Sequence, residues 1–238
     1  MKLDILAIGV HPDDIELGCA GTLISHIQRG KTTGLLDLTR GELGSRGTKE
    51  IRTAESEKAK IIIGATVREN LNLADGFFEN NQESQIKLIK VIRKYQPEII
   101  LCNAIHDRHP DHGRSAQLVE DACFYSGLIK IETEKDGISQ AAWRPKIVLH
   151  YIQDRYIRPD IVVDITETWD KKMESVMAHA SQFYSENSSE PETYIASKQF
   201  LENVTSRHME FGRSCGFTFA EGFTCSRIMG INNLFELF

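Results

Sequence analysis

Leu3-Asp4-Ile5-Leu6-Ala7-Ile8-Gly9-Val10 runs directly into His11-Pro12-Asp13-Asp14. The first eight residues are apolar apart from Asp4, the pattern of a strand buried on both faces, as in a parallel sheet covered by helices. Residues 16–28 then place Leu17, Ala20, Ile24 and Ile27 on one helical face, with Gly30 as the stop. A buried strand, a polar turn and an amphipathic helix in succession open a βαβ unit.

The alternation continues outward from that stretch. Residues 32–38 read as a strand, 39–48 as a glycine-rich loop, 49–63 as a polar-faced helix closing at Gly64, and 67–73 as a short strand. An amphipathic helix over 83–95 uses Leu88, Val91, Ile92 and Tyr95 and stops before Pro97. A buried strand over 98–102 follows, then a helix with Leu118, Val119, Ala122 and Cys123 inward. Four alternations with connections of crossover length predict an α/β fold with a mostly parallel sheet and right-handed crossovers. Beyond residue 130 the pattern weakens. Residues 131–143 read as a polar excursion, 146–152 and 161–165 as strands, 168–182 and 192–212 as helices, and 185–191 as a mobile surface loop. Without linker or repeat, 1–238 is read as a single domain.

A second polar run, Arg108-His109-Pro110-Asp111-His112, follows the fourth strand as the first run follows strand 1. In a doubly wound sheet of order 3-2-1-4-5, strands 1 and 4 are neighbours, and ligands bind at their carboxyl ends. The fold therefore predicts that His11, Asp13 and Asp14 meet His109, Asp111 and His112. Two histidines and a carboxylate suffice for a catalytic zinc, a second carboxylate can take a proton from water, and a further histidine can stabilise an oxyanion or protonate a leaving nitrogen. Each residue has a plainer role available: Asp13 or Asp14 as a helix cap, His-Pro-Asp as a turn. Taken jointly, three histidines and three aspartates at one switch point favour chemistry.

A net charge of −6 and no basic stripe speak against a nucleic-acid partner. Five scattered cysteines form no paired framework, which suggests a reducing compartment. No apolar run spans a bilayer, and the N-terminus lacks a cleavage site, so a cytoplasmic protein with no membrane partner is expected. Two other classes share some of these residues. His11-x-Asp13 with a distant histidine also spells the facial triad of non-haem iron oxygenases, which usually sits in an all-β barrel. A non-catalytic module with a structural metal would have no use for the adjacent carboxylate of Asp13.

With both motifs in view, the chain resembles the metal-dependent N-acetylglucosamine deacetylases of the LmbE/PIG-L type, whose members end strand 1 in His-Pro-Asp-Asp and later carry His-Pro-Asp-His. Residues 5–28, 36–64 and 98–125 match most closely, and 211–223, with Ala220-Glu221-Gly222-Phe223, resemble the closing strand region. The resemblance implies a Rossmann-like three-layer fold with the active site at the carboxyl ends of strands 1 and 4. It also implies His11, Asp14 and His112 as metal ligands, Asp13 as general base, and His109 as the oxyanion-stabilising or proton-donating histidine with Asp111 behind it. Arg52 and Asp75 match residues that hold sugar hydroxyls. The implied cofactor is Zn2+, with Fe2+ as the alternative in the cell, and the implied assembly is a homo-oligomer, a hexamer. Leu36-Asp-Leu-Thr-Arg-Gly-Glu-Leu-Gly-Ser45 and Asp107-Arg-His-Pro-Asp-His-Gly113 look like the branch that deacetylates N-acetyl-α-D-glucosaminyl L-malate in bacillithiol biosynthesis. Among the arginines near the rim (Arg40, Arg46, Arg52, Arg108), Arg108 is best placed for malate carboxylates. Another N-acetyl amino sugar or a thiol conjugate is the alternative substrate. Relatives of the mycothiol branch carry an assisting tyrosine where this chain has Asp107, so that role does not carry over.

Overall fold

The computed structural model describes residues 1–186 and 189–237, so Asn187 and Ser188 of the expected 185–191 loop lie outside the described residues. Among the described residues the order is β1 (Ile5–Gly9), α1 (Asp14–Gln28), β2 (Thr33–Asp37), α2 (Lys49–Ile63), β3 (Val67–Asn70), α3 (Gln82–Tyr95), β4 (Ile99–Cys102) and α4 (Pro110–Ser126). There follow β5 (Glu134–Lys135), β6 (Ile138–Ser139), β7 (Ile147–Tyr151), β8 (Ile161–Asp164), α5 (Trp169–Met177), α6 (Lys198–Arg213) and β9 (Ala220–Thr224).

Seven of these strands form one sheet in the order β3-β2-β1-β4-β7-β9-β8. The first five run parallel, and β9 lies antiparallel between β7 and β8. The expected neighbours, β1 and β4, pair from Ile5 opposite Ile99 to Ile8 opposite Cys102, so both motifs leave the same edge side by side. Period-2 alternation divides β1 between two cores. Leu6 and Ile8 face Leu88, Ile92, Leu118 and Val119 of α3 and α4. Ile5 and Ala7 face Ile15, Cys19 and Leu23 of α1. With α5 packed on α1 and α2, the result is a three-layer α/β fold.

The strand expected over 67–73 ends at Asn70, and the larger departures lie beyond residue 130. The polar excursion contains the β5–β6 hairpin, turned by Asp136 (φ 52°) and Gly137 (φ 75°), the Asp-Gly pair that a two-residue turn favours. The helix expected over 168–182 ends at Met177. Beyond it Ser181 bonds Glu55 through both backbone N–H and hydroxyl, and Gln182 Nε2 donates to the Arg46 carbonyl, contacts that compete with further helix. The last helix starts at Lys198 rather than near 192, because Ser197 caps it by accepting from Phe200 N–H.

Candidate active site

The first motif bends sharply. Asp14 opens α1, and its Oδ2 accepts the backbone N–H groups of Val10 (3.0 Å) and His11 (2.9 Å), folding the carboxylate back over the end of β1. Asp13, between them, takes φ 133°, ψ −23°, a backbone state that L-residues rarely adopt. It occupies the N-cap position but makes no side-chain capping bond. The plain reading of Asp13 as a helix cap therefore fails. In the second motif His109 does cap: its Nδ1 accepts the Asp111 backbone N–H at 3.3 Å, and Pro110 fills the first helical position, where no N–H is needed.

The two runs converge as expected. His11 Nδ1 lies 3.7 Å from Asp14 Oδ2, and His112 Nε2 lies 3.3 Å from Asp14 Oδ1. The outward nitrogens are held by carboxylates: His11 Nε2 is 3.0 Å from Asp75 and 3.6 Å from Asp111, and His112 Nδ1 is 2.6 Å from Asp107. Metal-binding histidines characteristically have this arrangement, with the far N–H given to a carboxylate. Burial alone would lower the basicity of both rings. Asp111 and Asp75 beside His11 raise it to about 10, and Asp14 and Asp107 beside His112 raise it to about 9. Burial likewise pushes Asp14 up, yet His112 and His11 hold it well below the usual carboxylate range. A divalent cation would take the place of the two imidazole protons amid this excess of buried carboxylates, so the donor set fits a metal.

His109 competes for membership of that set. Its ring nitrogens and those of His11 and His112 come within 4.8 Å of one another, as do ligand atoms of His11, Asp75 and Asp111. The hydrogen bonding separates the roles. His109 gives no N–H to a carboxylate and instead accepts a backbone N–H at Nδ1, so the neutral ring carries its proton on Nε2. Burial, with His11 and His112 nearby, lowers its basicity and keeps it neutral. Asp111, expected behind His109, instead directs its carboxylate at His11, at Arg114 Nη1 (2.9 Å) and at the Gly76 N–H (3.0 Å).

The other expected residues are also here, in altered company. Arg52 is buried, donating to the carbonyls of Gly41 and Pro12 (both 2.9 Å) with Nη2 3.5 Å from Asp13 Oδ2. A side chain at Gly41 (φ 64°) would overlap its guanidinium. Burial pushes the Asp13 carboxyl up to about 6, against the pull of Arg52. Asp75 binds the Leu43 N–H (2.9 Å) as well as His11. Arg108 pairs with Asp154 at 2.9 Å and lies over the Tyr194 ring. These residues line an open cavity of about 230 Å³ together with His11, Asp13, Asp14, His109 and His112. Arg40 bonds Asn72 outside it. The sequence reading missed Asn103 and Gln153, and it noted Asp107 without seeing it as the partner of His112. Asp107 was legible as an acid five residues before His112; the other two follow β4 and β7, with no motif around them.

The family model PIG-L, described as GlcNAc-PI de-N-acetylase, matches residues 6–123. Its span contains both motifs. A solved structure, the conserved protein TT1542 from Thermus thermophilus, superposes with a TM-score of 0.84 at 31% identity, over 97% of this chain and 98% of that one. The chain belongs to the PIG-L deacetylase family. The diacetylchitobiose deacetylase of Thermococcus kodakarensis is 25% identical over 229 residues, 92% of this chain and 81% of its own. A 4-oxalmesaconate hydratase of Pseudomonas putida is 26% identical over 192 residues (74% and 73%). A Bacillus anthracis protein named "Probable N-acetyl-alpha-D-glucosaminyl L-malate deacetylase 2" is 25% identical over 196 residues (75% and 81%). Among the described residues no helix is long and apolar enough to cross a membrane.

Proposed function

We propose that this chain hydrolyses the acetamide of an N-acetylglucosamine conjugate, with N-acetyl-α-D-glucosaminyl L-malate as the substrate. One observation carries the reading: a buried carboxylate, Asp13, stands beside the His11–Asp14–His112 group yet neither caps its helix nor joins the far nitrogens of the histidines. A structural metal site has no use for such a group. His11, Asp14 and His112 would hold a divalent cation (zinc, or iron in the cell), which would supply Lewis acidity when bound. Asp13, oriented by Arg52, takes the proton of the attacking water. His109 Nε2–H donates to the carbonyl oxygen as it becomes an oxyanion. The C–N bond then breaks, the proton held by Asp13 goes to the departing amine, and acetate and the free amino sugar leave.

Asp75 and Asp111 orient His11 in this scheme, and Arg52 and Asp75 also face the cavity where sugar hydroxyls would lie. Arg108 at its mouth, the Leu36–Ser45 and Asp107–Gly113 stretches and the Bacillus anthracis relative support the malate aglycone. The test is acetate release from a panel of N-acetylglucosaminides, the malate glycoside among them, by zinc- and iron-loaded protein. Release of acetate, fastest from the malate glycoside and abolished by a chelator, is the expected result. No acetate from any member, with hydration of an unsaturated dicarboxylate instead, would overturn the deacetylase reading in favour of the hydratase-like one. Acetate released fastest from diacetylchitobiose would overturn only the aglycone.

A further inference from the structure

The hydrogen bonds to Asp14 are unevenly divided between its two oxygens. Oδ2 accepts from Val10 N–H (3.0 Å), His11 N–H (2.9 Å) and Asn103 Nδ2 (2.9 Å). Oδ1 accepts from Gln153 Nε2 at 2.5 Å and faces His112 Nε2. Asn103, fully buried, leaves none of its amide idle. Its Oδ1 accepts from Val10 N–H (3.0 Å) and the Ser115 hydroxyl (3.3 Å), while Nδ2 also donates to Gln153 Oε1 (3.1 Å). Flipping this amide would set its NH2 against the Val10 N–H and its oxygen against Asp14, so only one orientation satisfies every partner.

Oδ2 takes three N–H donors, one of which, the Val10 N–H, is shared with Asn103 Oδ1, while Oδ1 has a single amide donor and turns its other side to His112 Nε2. We infer that Asn103 and Gln153 are positioning residues that make Asp14 a one-oxygen ligand through Oδ1. Asn103 withdraws Oδ2 from coordination, and Gln153 occupies one lone pair of Oδ1 and aims the other. Both residues leave β-strand ends, Asn103 directly after β4 and Gln153 just after β7, so the adjacent parallel strands themselves set the ligand geometry.

This inference rests on the metal reading above, and the experiment separates the two. Metal-free wild type, Asn103→Asp and Gln153→Met are titrated with Co2+ against a chromophoric chelator, and the cobalt absorption band is recorded. Asn103→Asp sets a carboxylate against Asp14 Oδ2 and drives it off its donors; Gln153→Met frees the second lone pair of Oδ1. Each is expected to weaken Co2+ binding roughly ten- to a hundredfold and to displace the absorption band. Should Asn103→Asp fail to fold, Gln153→Met, whose side chain borders the open cavity, carries the test. Wild-type binding of one Co2+ with both variants unchanged overturns the inference alone. Weaker binding with an unmoved band overturns it too, since that marks a loosened site rather than altered coordination. A wild type that takes up no Co2+ overturns the metal reading and this inference with it.

Discussion

Asp13 combines a backbone strain of about 1–3 kcal/mol with burial and a cationic neighbour, and each feature follows from where it stands between β1 and α1. Replacing it with Asn keeps shape and removes basicity, so Asp13→Asn should retain metal, measured by elemental analysis, while losing roughly 10²–10⁴ in kcat. A base must be ionised to act, and burial raises this carboxyl to about 6. Wild-type kcat should therefore fall as pH drops through about 6, and in Asp13→Asn that limb should vanish from the residual rate. Arg108 is a different case, because Asp154 already meets its charge. Arg108→Ala should raise KM for the malate glycoside about tenfold, the low end of the range of roughly 1.5–3 kcal/mol for a charge-assisted bond. An uncharged N-acetylglucosaminide should show no such change. Equal losses on both substrates would place Arg108 in the shared chemistry.

At the scale of elements, α1 carries the burden of placing Asp13 and Asp14. Tyr151, at the end of β7, lies flat against Gly18 and donates its hydroxyl to the Ile8 carbonyl of β1 at 2.9 Å. A methyl at position 18 would overlap that ring. Gly18→Ala should cost about 1–3 kcal/mol, as overpacking does, read as a lower urea midpoint. Metal affinity should fall with it, because a shift of α1 away from that ring carries Asp14 at its first turn. Further along α1, Glu221 of β9 accepts the N–H groups of Gly21 and Thr22, while Lys172 of α5 donates to the carbonyls of Glu16 and Leu17 and pairs with Glu221 at 2.6 Å. A buried ion pair thus reaches backbone groups of the helix from two other elements. Neither contact was legible in the amphipathic pattern of residues 16–28, which reports which face is apolar and nothing of what a distant strand supplies.

For the molecule as a whole, the helix layer over α1 and α2 encloses a second charged cluster. Arg68 of β3 holds Asp37 through two bonds of 2.8 Å and Glu16 at 2.5 Å, all three side chains nearly inaccessible. Burial raises Glu16, but Arg68 and His179 outweigh it and bring the carboxyl down to about 2; at Asp37 burial prevails and the net direction is upward. The stability Glu16 contributes is therefore fully present above its ordinary value of 4.5 and lost as pH falls toward 2. Arg68→Met should cost roughly 3–5 kcal/mol at neutral pH, since it strands two buried carboxylates. That deficit relative to wild type should shrink on acidification, as the stranded groups protonate. Urea unfolding at pH 7.5 and pH 5 checks it, and a deficit independent of pH would mean that lost packing, not charge, is responsible.

How much was readable beforehand follows the range of the forces involved. Leu3 to Val10, the periodic helices and the Gly and Pro stops are local signals, so the parallel half of the sheet and the meeting of His11, Asp13 and Asp14 with His109, Asp111 and His112 could be read from the chain alone. The reach of each side chain was decided only by tertiary packing. Asp111 turned to His11 because Arg114 and the Gly76 N–H hold it there. Asp107 became the partner of His112 through the path of the loop before α4. Asn103 and Gln153 lie 50 residues apart and gain meaning only because β4 and β7 are hydrogen-bonded neighbours. Periodicity records burial along one segment, whereas orientation depends on donors and acceptors brought from elsewhere, and a polar residue without a motif shows no sign in sequence of the partner it will meet.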